Sequence, residues 1–78
     1  MTGAELILIR HAFGLGRREF AVLLGYTGEP RNSWITIKRY ETGDREIPPT
    51  IERLVKLLRW YHHTTGATPD FETDLEVA

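Results

Sequence analysis

The chain has 78 residues, of which 41% are hydrophobic and 27% are charged, and it includes two Trp, three Tyr and three Phe. This composition excludes a wholly disordered chain and predicts one compact domain with a small hydrophobic core. The absence of cysteine excludes a disulfide framework, a thiolate zinc site and a cysteine nucleophile.

Basic and acidic residues are distributed unevenly along the chain. Residues 1–63 hold all ten Lys and Arg and seven acidic residues, a formal net charge of +3, although the whole chain has a formal net charge of −1. The four remaining acidic residues lie in the tail. A basic body with an acidic tail is compatible with a negatively charged partner such as nucleic acid.

The N-terminal sequence carries no basic leader. The apolar run Leu6-Ile7-Leu8-Ile9 ends at Arg10 and is too short for a signal peptide or a membrane span. We therefore expect a cytoplasmic protein without a membrane partner.

Capping signals and glycines delimit two helices in the first third of the chain. Thr2 and Glu5 have the spacing of a capping box, in which a hydroxyl and a carboxylate satisfy free N–H groups of the first turn. We predict a first helix over residues 3–13 and a second over 17–24 that ends at Gly25. The inward-facing residues at helical spacing are Leu6, Ile9, Arg10 and Phe13, then Phe20, Ala21 and Leu24.

Two longer helices are predicted in the rest of the domain. Pro30 suits the first position of a third helix over 30–42, and a proline pair opens a fourth over 49–63. The predicted apolar faces comprise Trp34, Ile37 and Tyr40 in the third helix, and Ile51, Leu54, Leu57, Leu58 and Tyr61 in the fourth. The predicted fold class is all-α, with four or five helices in a domain of residues 1–66 and an acidic tail over 67–78.

Two strings carry a resemblance to a known family. They are Gly14-Leu15-Gly16-Arg17-Arg18-Glu19-Phe20-Ala21-Val22-Leu23-Leu24-Gly25 and Thr36-Ile37-Lys38-Arg39-Tyr40-Glu41-Thr42-Gly43. In this order, with a helix before and after, they resemble the lambda-repressor-like (Xre) helix-turn-helix family over about residues 5–60. The interval between Gly25 and Tyr40 is several residues longer than the family's usual turn and helix.

The resemblance implies roles for the matching residues. Ala21 falls on the small position where the second and third helices cross. Arg10 and Glu41 match positions that often form a partly buried ion pair. Arg17 takes the position of a phosphate-contacting residue at the start of the second helix. The family's recognition positions, which face the DNA major groove, fall on Trp34, Ile35, Lys38 and Arg39.

The residue chemistry of the third helix fits base reading, because a reading helix needs an apolar back and a cationic front. Arg39 and Arg31 can form a bidentate fork with guanine, each good pair contributing about 1–3 kcal/mol of discrimination, and Asn32 can read adenine. In the alternative reading, Lys38 and Arg39 are simply solvent-exposed charges on a helix that does not bind DNA. Trp34 either faces DNA or packs against the second helix or the long turn. The predicted phosphate contacts are Arg17, Thr42, Gly43 and Arg45.

Other chemistries find little support in the sequence. The adjacent His62 and His63 point in different directions on a helix and have no further ligands nearby, so we predict no metal and no cofactor. Ser33, Thr36 and the carboxylates form no nucleophile–base set, so we predict no enzyme.

The leading functional hypothesis is a transcriptional regulator of the phage or mobile-element type, a repressor that binds a palindromic operator in double-stranded DNA as a homodimer. The alternative is a protein-interaction module, such as an antitoxin whose acidic tail binds a partner. In the tail, acidic residues alternate with Phe71, Thr73, Leu75 and Val77. This pattern fits disorder or loose packing, a dimer contact, or a negative arm that competes with DNA.

Overall fold

The chain folds into four helices in a computed structural model that describes residues 1–26 and 30–69, with the side chains of residues 30–32 excepted. The helices are α1 (Gly3–Ala12), α2 (Arg17–Leu23), α3 (Pro30–Thr42) and α4 (Pro49–Thr65). No strand occurs in this described part of the chain. The all-α prediction is confirmed, and each helix ends within two residues of its predicted boundary. Residues 27–29 and the acidic residues of the tail lie outside the described residues.

Local sequence signals explain the helix ends. The predicted capping box is present at the start of α1, because the Glu5 N–H donates to Thr2 Oγ1 at 3.1 Å and the Thr2 N–H donates to Glu5 Oε1 at 3.4 Å. Gly25 follows α2 with a φ of 85°, and Gly66 ends α4 with a φ of 74°. A residue with a β-carbon is strained in this left-handed region, so glycine suits both stops.

The core lies where α3 packs against both α1 and α2, with α4 closing one side. Its largest fully buried side chains are Leu6, Phe20, Ile37 and Val55, one from each helix. Phe13, at the end of α1, packs its ring 6.1 Å from that of Phe20 and 5.0 Å from that of His62. Every residue predicted to face inward from α1 and α2 is buried.

The predicted apolar face of α4 is partly wrong. Leu57 is 60% exposed, whereas Val55 is fully buried and Leu58 nearly so. Val55 and Leu58 belong to the core, with Ile51 and Leu54 packed against it, so the buried stripe of α4 passes through Val55 and not through Leu57. Leu57 lies on the solvent side.

Gly3 is a point of very close helix approach. A β-carbon at Gly3 would clash with the carbonyl oxygen of Glu41 and would lie 2.6 Å from the carbonyl oxygen of Tyr40. Only glycine therefore allows the first turn of α1 to rest on the last turn of α3 at this separation. This contact holds the C-terminal end of α3 against the start of α1.

No helix in the described residues is long and apolar enough to cross a membrane.

Candidate nucleic-acid interface

A buried carboxylate connects three helices. Glu41, on the last turn of α3, has a side chain that is only 1% exposed. One oxygen, Oε2, accepts from Arg10 Nε at 2.6 Å, and the other, Oε1, accepts from Arg17 Nε at 2.9 Å. Arg10 also donates through Nη1 to the Leu15 carbonyl at 3.1 Å. We call Arg10, Arg17 and Glu41 the ion triad, and it sets the position of α3 relative to α1 and α2.

The triad contains one member that sequence reasoning did not place there. The resemblance implied the Arg10–Glu41 pair and gave Arg17 only a phosphate contact. In the structure Arg17 is bonded to Glu41, and its side chain is still 39% exposed. The remaining guanidinium donors of Arg17 lie near the surface and can bond a second acceptor.

The two sides of α3 differ in chemistry. Ser33, Ile37 and Tyr40 are buried and face the core, whereas Lys38 and Arg39 are exposed and Ile35 is half-buried. We call the outward side, with Ile35, Lys38 and Arg39, the α3 front. Its exposed charges are cationic, and no acidic residue of α3 lies on it because Glu41 is buried.

An open cavity of about 450 Å³ lies between the start of α2 and Trp34 of α3. It is lined by Arg10, Arg17, Arg18, Glu19 and Trp34. Trp34 is half-buried, and Lys38 Nζ lies 5.9 Å from the centroid of a Trp34 ring, a cation–π contact. The start of α2 and Trp34 of α3 therefore line one concave surface with three arginines and Glu19, and Trp34 connects this surface to Lys38 of the α3 front.

Arg18 was not a candidate from the sequence, but it lines the same cavity and is exposed. It has no ion pair among the described contacts, in contrast to Arg17. The only sequence signal for it is its place in the first turn of α2, next to Arg17. Arg18 is therefore the more available of the two arginines for an external anion.

The turn after α3 uses its backbone donors internally. The Gly43 N–H donates to the Tyr40 carbonyl at 3.4 Å, and the Arg45 N–H donates to the Arg39 carbonyl at 3.2 Å. The Thr42 hydroxyl donates to the same Arg39 carbonyl at 3.3 Å. These bonds cap the C-terminal turn of α3. Among the predicted phosphate contacts of this turn, the Thr42 hydroxyl and the Gly43 N–H thus donate within the chain, and the exposed Arg45 side chain is the one that keeps its donors outside these bonds.

A hydrogen bond between two phenols supports the back of α3. The hydroxyl oxygens of Tyr26 and Tyr40 are 2.8 Å apart. Burial raises the pKa of the Tyr26 phenol, and the hydrogen bond with Tyr40 raises it further. The contact joins the segment after α2 to the last turn of α3, so it helps to hold the α3 front in place.

Some predicted residues are not placed by the structure. The side chains of Arg31 and Asn32 lie outside the described residues, although both belong to α3. Within the described part of the chain, no group of three or more His, Asp or Glu side chains could hold a metal ion. No protein-family model, no curated protein and no solved structure matches this chain.

Proposed function

We propose that the protein is a sequence-specific DNA-binding transcriptional regulator, in which α2 and α3 form a lambda-repressor-like helix-turn-helix and α3 is the recognition helix. The observation that carries the proposal is the division of α3 into a buried back and a cationic front. The major groove of B-DNA admits one α-helix, and its base edges are read by a few side chains on the outward side of that helix.

The side chains of the α3 front supply suitable chemistry. Arg39 can donate two parallel hydrogen bonds to the O6 and N7 acceptors of guanine, and Ile35 can contact a thymine methyl group. Lys38, held above Trp34, brings a second cation to the same surface. Arg31 and Asn32 remain predicted base contacts from one turn earlier in α3.

The start of α2 supplies the anchoring contacts in this proposal. Arg18 and the remaining donors of Arg17 share a cavity with Trp34 of α3 and can bond phosphate oxygens, which fix the register of the helix without reading sequence. The ion triad then has a positioning role, because it holds the arginine of α2 and the last turn of α3 on one carboxylate.

One recognition helix reads only a few base pairs, so the proposal includes a homodimer on a palindromic operator, in the manner of a cytoplasmic repressor. Its two half-sites are then expected about 34–36 Å apart, or a multiple of that spacing.

Selection of the full chain against random duplexes tests the function. The proposal predicts enrichment of one palindromic motif, with binding that weakens steeply as salt rises. If no motif is enriched at any salt concentration, the protein is not a sequence-specific regulator, and the protein-interaction module becomes the better hypothesis. If the enriched motif is a single half-site without a palindromic partner, the homodimer is excluded.

A further inference from the structure

A groove between α1 and α4 lies apart from the proposed DNA surface. It has a volume of about 340 Å³. Its lining from α1 includes Leu8, Ile9 and Phe13, and its lining from α4 includes Arg59, His62 and His63. Arg59 and His63 also border a second concave surface that contains Lys56 and Trp60. We call the continuous surface from Leu8 to Trp60 the α1–α4 groove.

The borders of this groove expose large apolar side chains. Leu8 is 70% exposed and Trp60 is 62% exposed. A tryptophan on the surface leaves a large apolar ring in water, and such rings are common where a protein binds another segment. The apolar borders therefore indicate an occupant with apolar side chains.

The charges of the groove restrict the occupant further. Lys56, Arg59 and His63 are exposed along one side of α4, where Lys56 Nζ lies 3.3 Å from Glu52 Oε1. Among the described residues, Glu5 is the one acidic residue that lines the groove. Two copies of this surface placed face to face would bring like charges together, which costs free energy. An acidic, partly apolar segment is complementary to both the charge and the apolar borders.

The chain itself contains such a segment. Asp70, Glu72, Asp74 and Glu76 alternate with residues that include Phe71, Leu75 and Val77. These residues lie outside the described part of the structure. The segment follows the groove closely in the chain, because α4 ends at Thr65, two residues after His63 of the groove.

Residues 70–78 are also long enough to extend along the groove. Nine residues in extended form span about 30 Å, whereas α4 covers only about 10 Å between His63 and Lys56. Attachment to the same chain gives the segment a high effective concentration at the groove.

We propose that residues 70–78 bind in the α1–α4 groove of their own chain, with apolar side chains against Leu8 and Trp60 and carboxylates facing Lys56, Arg59 and His63. Because the groove is formed by α1 and α4, the proposal does not depend on the DNA-binding function. It assigns to the acidic tail an intramolecular role different from capture of a partner or competition for the basic face of α3.

A spin label on the tail tests the proposal with the full chain. Ala78→Cys creates the only cysteine, which can carry a nitroxide that broadens the NMR signals of nearby amides. In isotope-labelled protein, we expect broadening at the Leu8 amide and the Trp60 indole N–H. The matched control is the same tagged chain with Asp70→Asn, Glu72→Gln, Asp74→Asn and Glu76→Gln, which keeps the tether but removes its charge.

Binding in the groove predicts stronger broadening with the acidic tail than with the neutral tail at both reporters, and a loss of the difference in high salt. Val22 on α2 is as exposed as Leu8 and should show no difference. Equal broadening with both tails would overturn the proposal.

A second sample distinguishes one chain from two. When untagged labelled protein is mixed with tagged unlabelled protein, the proposal predicts no broadening at Leu8 or Trp60. Broadening in this mixture would assign the groove to the tail of a second copy and would overturn binding within one chain.

Discussion

Arg17 Nε lies 2.9 Å from Glu41 Oε1, so an arginine at the start of α2 is held by a carboxylate on the last turn of α3. The same carboxylate is bonded to Arg10 of α1. Among the described residues, Glu41 is therefore the one side chain whose ion pairs connect α1, α2 and α3.

Glu41→Gln should destabilise the fold by about 3–5 kcal/mol, because removal of one partner leaves a buried guanidinium without a counter-charge. Urea denaturation followed by circular dichroism measures this loss. Glu46→Gln is the matched control, because it removes the same charge from an exposed residue of the turn after α3. Equal stability of the two variants would show that the triad contributes little.

Gly3→Ala should destabilise the protein by about 1–3 kcal/mol, because the new methyl group forces α1 away from the carbonyl groups of α3. Gly16→Ala is the control, since a β-carbon there meets only the end of the flexible Glu19 side chain. Thermal denaturation of both variants gives the comparison. If Gly3→Ala is no more harmful than Gly16→Ala, the close approach of α1 and α3 is not required.

The Tyr26–Tyr40 contact predicts a loss of stability at alkaline pH. The ordinary pKa of a tyrosine phenol is 10.0, and burial raises the pKa of Tyr26 above it in the folded state. The Tyr26 phenol therefore ionises at a lower pH in the unfolded chain than in the folded one. Its contribution to the free energy of unfolding is complete below pH 10 and declines as the pH rises from the unfolded-state pKa to the folded-state pKa.

Urea denaturation on both sides of pH 10 checks this dependence. Tyr26→Phe should make the alkaline decline shallower. Tyr61→Phe removes a half-buried phenol of α4 without touching the Tyr26–Tyr40 hydrogen bond, so it should keep the wild-type decline. An unchanged decline in Tyr26→Phe would contradict the assignment.

The proposed DNA contacts predict two kinds of variant. Arg39→Ala should weaken binding to the selected motif by about 1–3 kcal/mol and relax the base preference at one position in each half-site. Arg18→Ala should weaken binding to all duplexes by a similar factor and reduce the salt slope by about 1. Fluorescence anisotropy with a matched and a mismatched duplex separates the two effects.

Arg53→Ala is the matched control for both variants, because it removes an exposed arginine from α4, outside the α3 front. Arg17→Ala is less informative than Arg18→Ala, since it also breaks the bond to Glu41. A loss of binding in Arg53→Ala as large as in Arg39→Ala would place the interface elsewhere.

The helices could be predicted from the sequence because their ends depend on neighbouring residues. The Thr2–Glu5 capping box, Pro30 at the start of α3 and Gly66 after α4 act within a few residues of the chain. The buried positions of α1 and α2 followed from their apolar spacing. The spacing in α4 was ambiguous, since Leu57 and Val55 fit two slightly rotated stripes.

The remaining features depend on how the helices meet. The bond from Arg17 to Glu41 requires the start of α2 to lie beside the end of α3, and the close contact of Gly3 requires α1 to rest on the same end. Neither relationship has a local signal. The Arg10–Glu41 pair was expected only from the family resemblance, which implied nothing about Arg18.

The most direct test of the central claim is an NMR titration of the full chain with its selected duplex. If the α3 front enters the major groove, the largest amide shifts should occur at Ile35, Lys38 and Arg39, with smaller shifts at Arg18. Shifts concentrated on the exposed basic residues of α4, such as Arg53 and Lys56, with α3 unchanged, would contradict the account.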